Sequence, residues 1–475
     1  MRFIKALGLL LLTPLITLSQ EKWDLRRCVE YALANNISVK QADLQIRFAK
    51  LDANQAKLSQ YPTLNYSTNF GYSSGRNQDP TNFSLITTGY LNSSHSLQTG
   101  LQVFNWFSRR YTIEARKLTA EAAEAGFEKA QNDVALNVAV AYLQALLANE
   151  QIRIAGIQVE QTKSQLESTQ KQVQQGKLPE INAAQLEAQL AADSTNVITA
   201  RTSAMQSVLQ LKALLNMDAA APFEIATPPV EQIPIENIAE LQPDAVYALA
   251  TTNMPQQKVD ILNVSAARKN MLAARGAMYP TVSLFGSIGA SFNNKSQQII
   301  GTNVINLPLG TVNVSGTPYN VFPLKPYDQP IYGKFPYFDQ LNQNFRQSLG
   351  LSLNVPIFNG GNLRTAWQRS QLNLEQVELT KQQNSLTLKQ DIYRAYNDAV
   401  AALQKFNSNK KAVETAQKTY DFATKRFEVG LLSTYDLITS QNNLTRSKYD
   451  MLSAQYDFVF KIKLLEFYKG QGLKL

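Results

Sequence analysis

The sequence is poor in the residues from which catalytic sites are commonly built. Its 475 residues include one cysteine, Cys28, and one histidine, His95. A single cysteine excludes an intrachain disulfide and any CxxC metal or redox pair. A single histidine argues against a Ser-His-Asp triad and against a histidine-rich metal site, and no cofactor is expected. Charge is also scarce, at 17% of residues against about 25% in ordinary soluble domains. Hydrophobic residues stand at 44%, so Gln, Asn, Ser and Thr fill the deficit. That is not the low hydrophobicity with high net charge of a disordered chain. No internal run of about 18 apolar residues exists, which excludes a helical membrane span. The formal charge of +9 is scattered, without a basic run of five, so no nucleic-acid partner is expected.

The N-terminus carries more information. Arg2 and Lys5 form a positive segment, Ala6–Leu18 an apolar one, and Thr17-Leu18-Ser19 a small-residue cleavage site. This reads as a secretory signal over residues 1–19, with a buried N-terminal helix as the alternative. Its removal takes Arg2 and Lys5 and lowers the charge from +9 to +7. Arg26 and Arg27 before Cys28 do not suit a lipoprotein cleavage site.

Internal repetition sets the organisation. Tyr31-Ala32-Leu33-Ala34 recurs as Tyr247-Ala248-Leu249-Ala250, and Tyr61-Pro62-Thr63-Leu64 as Tyr279-Pro280-Thr281-Val282, at offsets of 216 and 218. Phe104-Asn105 recurs as Phe358-Asn359, Ala141-Tyr142 as Ala395-Tyr396 and Gly176 as Gly430, all at 254. The last offset holds without a gap for more than seventy residues, as two copies of one unit require. The copies are expected at 20–216 and 243–475, joined by a linker at 217–242 that contains Pro222, Pro228, Pro229 and Pro234. The rise from 218 to 254 gives the second copy 36 extra residues. Four precede Phe358, and the rest lie in 293–344, a stretch rich in Pro, Gly, Asn and Tyr that reads as a long loop.

Each copy is expected to run helix, two strands, two helices. Over 61–105 the period is two, with Leu64, Tyr66, Phe70 and Tyr72 on one face and Asn65, Ser67 and Asn69 on the other. Over 279–358 the same alternation sets Val282, Leu284, Ile288, Ala290 and Phe292 against Ser283, Ser287 and Ser291. Its partner strand sets Leu349, Leu351, Leu353 and Val355 against Ser348, Gly350, Ser352 and Asn354. Strands of about ten residues are long enough to cross a bilayer when tilted. A half-buried hairpin of a soluble sandwich is the competing reading. Four strands cannot close a barrel, since small membrane barrels use about eight, and an open edge in lipid is not tolerated. If the strands span a membrane, several chains must pool them.

The helical hairpins are expected at 106–216 and 359–469. A strict heptad seam runs Val134, Val138, Ala141, Ala145, Ala148 and onward to Val173, passing through Thr162 and Thr169. The second copy repeats it from Leu388 through Ile392, Ala395, Ala399 and Ala402 to Phe427. Such heptads predict left-handed coiled packing, and their alanines allow close backbone approach. About 70 helical residues would extend roughly 105 Å. The first copy adds a stripe on the opposite side (Leu136, Val140, Leu143, Leu147, Ile154, Ile157), as a helix with neighbours on two sides needs. The second copy has Gln390, Arg394, Asn397, Gln404 and Ser408 there, so that face is expected to be wet. Both long helices stop at a glycine, Gly176 or Gly430, which an ordinary helix C-cap explains.

With these motifs in place the chain resembles the TolC family of outer-membrane efflux and secretion channels over nearly all of its mature length. The resemblance rests on Tyr31-Ala32-Leu33 with Asn35-Asn36, on Tyr61-Pro62-Thr63-Leu64, on Pro356-Ile357-Phe358-Asn359-Gly360-Gly361, and on Val429-Gly430-Leu431 followed by Asp436. It implies an α+β membrane protein of the outer membrane of a Gram-negative bacterium. Three chains would form a twelve-stranded β-barrel continuous with an α-helical barrel that extends through the periplasm, with the linker in an equatorial belt. It implies outer-membrane lipid around the barrel and docking at the helix tips to a periplasmic adaptor (membrane fusion) protein. That adaptor would be served by an inner-membrane pump of RND, ABC or MFS type. Carried over by position, Gly176, Lys177, Leu178, Gly430, Leu431 and Leu432 match the adaptor-contacting tips. Asp436 matches an entrance carboxylate that forms a ring on the trimer axis, where converging charges favour cations and gate the entrance. Thr439 stands where a second entrance acid is expected, and Asn182 occupies the first copy's equivalent of Asp436. These two neutral residues thin the expected charge ring, and because Leu432 replaces a basic residue often present after the glycine, no salt-bridge lock is expected at the tips.

The expected function is therefore a passive exit duct with no catalysis. A periplasmic adaptor or coiled-coil structural protein of the same assembly is the main alternative. It would carry one helical hairpin within small β-domains, whereas this chain has two hairpins and four amphipathic strands. A secreted enzyme would need its lone acids Asp52, Glu124 and Asp260 to be more than solvated helix residues. Gly360-Gly361 lacks the Lys-Ser/Thr that a phosphate loop requires. The neutral polar faces select no cargo: drugs, metal ions and proteins all fit a permissive conduit.

Overall fold

The structure, a computed structural model, describes residues 22–78, 83–229 and 233–470. The expected signal peptide at 1–19 lies outside the described residues. In chain order the elements are α1 (Leu25–Asn35), α2 (Ile37–Leu58), β1 (Thr63–Gln78), β2 (Leu85–Phe104), α3 (Ser108–Gln174) and α4 (Glu180–Leu215). The second half continues with α5 (Pro243–Asn253), α6 (Pro255–Gly276), β3 (Thr281–Asn293), β4 (Gln297–Ile305), β5 (Gly310–Val314) and β6 (Thr317–Val321). It ends with β7 (Tyr327–Lys334), α7 (Tyr337–Gln343), β8 (Arg346–Asn354), α8 (Asn362–Glu428) and α9 (Thr434–Tyr468). Duplication is visible in the lengths, since α3 and α8 both have 67 residues while α4 and α9 have 36 and 35.

The single helix expected before each strand pair is two helices. Asn36 separates α1 from α2: its Oδ1 accepts from the Ser38 N–H at 2.8 Å, and its Nδ2 donates to the Leu214 carbonyl at 2.7 Å. In the second copy Pro255 pushes Met254 out of the helical region, to φ −71° and ψ 126°.

The chain divides into two compact units that cut across the repeats. Among the described residues one comprises 22–52, Arg116–Ala267 and 373–470; the other comprises Ala53–Ala115 and Arg268–Leu372. All eight described strands fall in the second.

In the helical unit the heptad seam is the core. Val134, Val138, Ala141, Ala145 and Ala148 are buried, as are Ile392, Ala395, Ala399 and Ala402. The equivalent alanines Ala145 and Ala399 are both wholly inaccessible, so each sits where a larger side chain would force the backbones apart. Of the opposite stripe, Leu143 is buried, Leu136, Val140, Leu147 and Ile154 are half-buried, and Ile157 is exposed; Gln390, Arg394, Asn397, Gln404 and Ser408 are all exposed. The described part of the linker is held down. Trp23 forms a parallel bridge with Ile225, and the Tyr142 hydroxyl donates to the Ala226 carbonyl at 2.6 Å.

Cys28 lies in this core beside Val29, Ala32, Tyr142 and Leu211, and burial pushes its thiol up from 9.0 to about 12. The neutral thiol therefore contributes stability that is complete below pH 9.0 and is lost as pH rises toward about 12. At pH 8 the folded protein is expected to resist a thiol-specific reagent such as DTNB, because thiolate and access are both missing. Stoichiometric labelling should appear only on unfolding in guanidinium. Rapid labelling of the folded protein would contradict the burial.

In the strand unit one antiparallel sheet has the order β1-β2-β3-β8, so β2 and β3 join the two copies and β1 and β8 lie at the edges. Register aligns the faces across all four strands: Tyr66 pairs with Leu97, Leu97 with Ile288, and Leu284 with Leu351. On the other face Ser67 and Ser96 share a hydrogen bond at 2.7 Å, as do Ser287 and Ser348 at 2.8 Å. Phe285 breaks the polarity of that second face. Its ring covers Gly350, where an added Cβ would stand 2.6 Å from it.

The stretch 293–344 is not the loop its composition suggests. β4 pairs with β7, β5 with β6, and α7 follows. Ser315 and Gly316 both have positive φ, 53° and 88°, and form the two-residue primed turn whose twist matches a tight hairpin.

Candidate functional site

The candidate tips are built by two matching helix ends. At the end of α3 the Gly176 N–H donates to the Val173 carbonyl at 2.9 Å and the Lys177 N–H to the Gln172 carbonyl at 2.9 Å. At the end of α8 the Gly430 N–H donates to the Phe427 carbonyl at 2.9 Å and the Leu431 N–H to the Arg426 carbonyl at 2.8 Å. Both are Schellman motifs, and the positive φ each requires, 71° at Gly176 and 75° at Gly430, explains the glycine. The return helices start differently. Pro179 precedes α4 without a side-chain cap, whereas the Ser433 hydroxyl caps α9 by accepting from the Asp436 N–H at 3.1 Å. That hydroxyl donates in turn to Asp436 Oδ2 at 2.7 Å, so the carboxylate is oriented by its own cap.

The six tip residues divide by environment. Gly176, Lys177, Gly430 and Leu431 are exposed, with Leu431 at 68%. Leu178 and Leu432 instead pack against the buried Ala423, Phe427 and Leu437, which joins the two tips in one cluster. Within that cluster burial pushes the Tyr420 phenol above its ordinary value. Asp436 and Thr439 are exposed and Asn182 is half-buried. The Thr439 hydroxyl donates to the Tyr435 carbonyl of its own helix at 2.8 Å.

A buried polar layer farther along the hairpins is absent from the sequence reading. Thr162 Oγ1 donates to Asp193 Oδ2 at 2.7 Å, and Gln441 Nε2 donates to Thr162 Oγ1 at 3.0 Å. Gln189 Nε2 donates to Asp193 Oδ1 at 2.8 Å and reaches Asn442 Oδ1 at 3.1 Å. Three helices, α3, α4 and α9, are thereby stitched by neutral donors around one carboxylate. Tyr449 has its phenol pushed up by burial and by the charge of Asp193. The signal in the sequence is Thr162, one of two threonines in the seam with Thr169, where a threonine looks like an ordinary small residue.

Among the described residues no group of three or more His, Cys, Asp and Glu side chains is placed to hold a metal ion. The chemistry on display is that of surfaces: an apolar sheet face, a neutral polar sheet face, and exposed helix tips.

Comparison with known proteins agrees with this picture. The family model described as outer membrane efflux protein matches residues 28–217 and 246–460, one block in each copy. The chain is 22% identical over 422 residues to the outer membrane protein TolC of Escherichia coli, covering 88% of this chain and 76% of that protein. It is 23% identical over 380 residues to the alkaline protease secretion protein AprF of Pseudomonas aeruginosa, covering 80% and 69%. Among solved structures, the outer membrane protein VceC of Vibrio cholerae superposes with a TM-score of 0.72 at 17% identity, covering 95% of this chain and 97% of that one.

Proposed function

We propose that this chain, which belongs to the outer membrane efflux protein family and is an outer-membrane exit duct for efflux or secretion, works as a homotrimer with a gated periplasmic end. The observation that carries the trimer is the open sheet. β1 and β8 are its edges, and the face bearing Leu64, Leu97, Leu284 and Leu351 is apolar. An open edge leaves backbone donors and acceptors unpaired in lipid, and pooling four strands from each of three chains removes every edge. The neutral polar face then lines the lumen, with the Ser67–Ser96 and Ser287–Ser348 pairs on the conducting side. The duct is passive, with no catalytic step. Its energy comes from an inner-membrane pump of RND, ABC or MFS type through a periplasmic adaptor.

The tips support the docking and gating parts of this reading. Lys177, Leu431 and the two capped glycines present an exposed mixed surface for the adaptor, while Leu178 and Leu432 serve internal packing and only border it. Asp436 is the exposed carboxylate of the first turn of α9, and three copies converging on the trimer axis would concentrate cations at the entrance. Asn182 and Thr439 complete the entrance with neutral side chains. Replacing Asp436 by Asn or Ala is expected to raise single-channel conductance and to weaken divalent-cation block on the order of tenfold, about 1.4 kcal/mol. Asn retains a partner for Ser433 and Ala does not, so equal effects assign the change to charge rather than to the cap. Planar-bilayer recordings unchanged in both variants would remove Asp436 from the gate.

A further inference from the structure

The root of the 293–344 segment carries a contact that the duct function leaves unexplained. The only histidine of the chain sits on the apolar face of β2, where it pairs in register with Thr68 of β1 and Ala290 of β3. Its Nδ1 lies 3.0 Å from both the Tyr66 and Thr68 hydroxyls, and its Nε2 lies 2.8 Å from the Tyr337 hydroxyl of α7. The Tyr337 ring rests on Phe292, at 4.8 Å between centroids, on that same face. Gln340, wholly buried, accepts from the Asn293 N–H at 2.9 Å and donates to the Phe335 carbonyl at 2.8 Å. The short helix α7 is thus fixed against the apolar side of β2 and β3, beside the Asn293 end of β3.

In an outer-membrane barrel the apolar face looks outward to lipid and aromatic side chains flank the apolar band. We propose that α7 is an external anchor, clasped to the barrel wall by His95, whose exposed ring Phe338 inserts among outer-leaflet lipids. The inference rests on the outward orientation of the apolar face in the proposed barrel. Two observations select lipid as the occupant. The surface α7 presents is continuous with the lipid face of the sheet, through Phe292 and His95. Phe338 is also 80% exposed, its ring at right angles to that of Tyr337 with 5.4 Å between centroids, so most of the ring is left to the surroundings. Lys334, exposed just before α7, is placed to meet phosphorylated headgroups at the boundary. The insertion is therefore tied at this limb to the outside of the wall, not across the mouth of the duct.

The test is collision accessibility of spin labels on the full-length protein reconstituted in bilayers. Labels are placed at Phe338→Cys, at Leu349→Cys on the lipid face and at Ser287→Cys on the lumen face, with buried Cys28 left in place. The Phe338→Cys label is expected to share the oxygen-dominated accessibility of Leu349→Cys. Accessibility to aqueous nickel chelate equal to that of Ser287→Cys would overturn the anchor, and low accessibility to both reagents would show a second copy covering α7 instead. If the two control sites do not differ from each other, it is the barrel orientation itself that fails. His95→Ala and Tyr337→Phe each remove the Nε2 contact and are expected to mobilise the 338 label while leaving the 349 label unchanged. Unchanged mobility at 338 would overturn the clasp.

Discussion

Replacing Leu97 by arginine is expected to abolish stable insertion of the barrel, whereas the same replacement one residue earlier, at Ser96, is expected to be tolerated. Leu97 lies on the apolar face of a central strand, paired with Tyr66 on one side and Ile288 on the other. A cation at mid-depth on a lipid-facing position costs about 2–4 kcal/mol. The proposed trimer would incur that cost three times, which matters against a total stability of about 5–15 kcal/mol for a typical fold. Ser96 faces the other way, with its hydroxyl 2.7 Å from that of Ser67, so an arginine there meets water in the lumen and changes ion selectivity. The readout is the fraction of protein that resists carbonate extraction from outer membranes. Equal losses from both variants would contradict the assignment of the two faces, because period-two alternation is what separates adjacent residues.

The second large effect concerns the helical unit. Lys463 and Glu466 on α9 form an ion pair at 2.8 Å with side chains only 9% and 3% exposed. Glu466 Oε1 also accepts from the Glu236 N–H at 2.9 Å, fastening the end of the linker to α9. Lys463→Ala leaves that carboxylate buried without its cation, a change that costs about 3–5 kcal/mol. The double variant Lys463→Met, Glu466→Gln removes both charges, fills similar volumes and keeps an acceptor for Glu236. It is expected to recover most of the loss, since a buried pair replaced as a whole is often near neutral. Thermal melting followed by helical circular dichroism should rank wild type and double variant together, well above Lys463→Ala. A double variant as unstable as the single one would mean that packing of the Lys463 stem, not the stranded charge, carries the effect.

Much of the architecture was legible because it depends on periodicity. The heptad spacing of Val138, Ala145, Ile392 and Ala399 reports burial on one side of a helix, and all four are buried. The alternation of Val282, Leu284 and Ile288 fixes which face of β3 is apolar, whatever the neighbouring strands are. Matching offsets marked Gly176 and Gly430 as equivalent turns, and both adopt the same left-handed cap. Features that depend on side chains from distant segments were not legible. Asp193 looks like any helix acid until α3 and α9 bring Thr162 and Gln441 against its surroundings. His95 looks like a polar residue near a strand end until α7 returns with Tyr337. The hairpins inside 293–344 are not legible in the sequence because Pro, Gly and Asn build loops and hairpin turns alike, and strands β5 and β6, of five residues each, are too short for alternation to stand out. The tip residues needed the family resemblance as well as the spacing, since a Schellman turn ends helices of every function.

In the proposed trimer the four strands of one chain are one third of a closed wall. Native mass spectrometry of the protein released from detergent micelles tests it most directly. The expected spectrum is a single assembly of three times the mature chain mass, which persists at collision energies that strip detergent and disappears in the Leu97→Arg variant. A spectrum dominated by single chains, from material that still resists carbonate extraction, would contradict it.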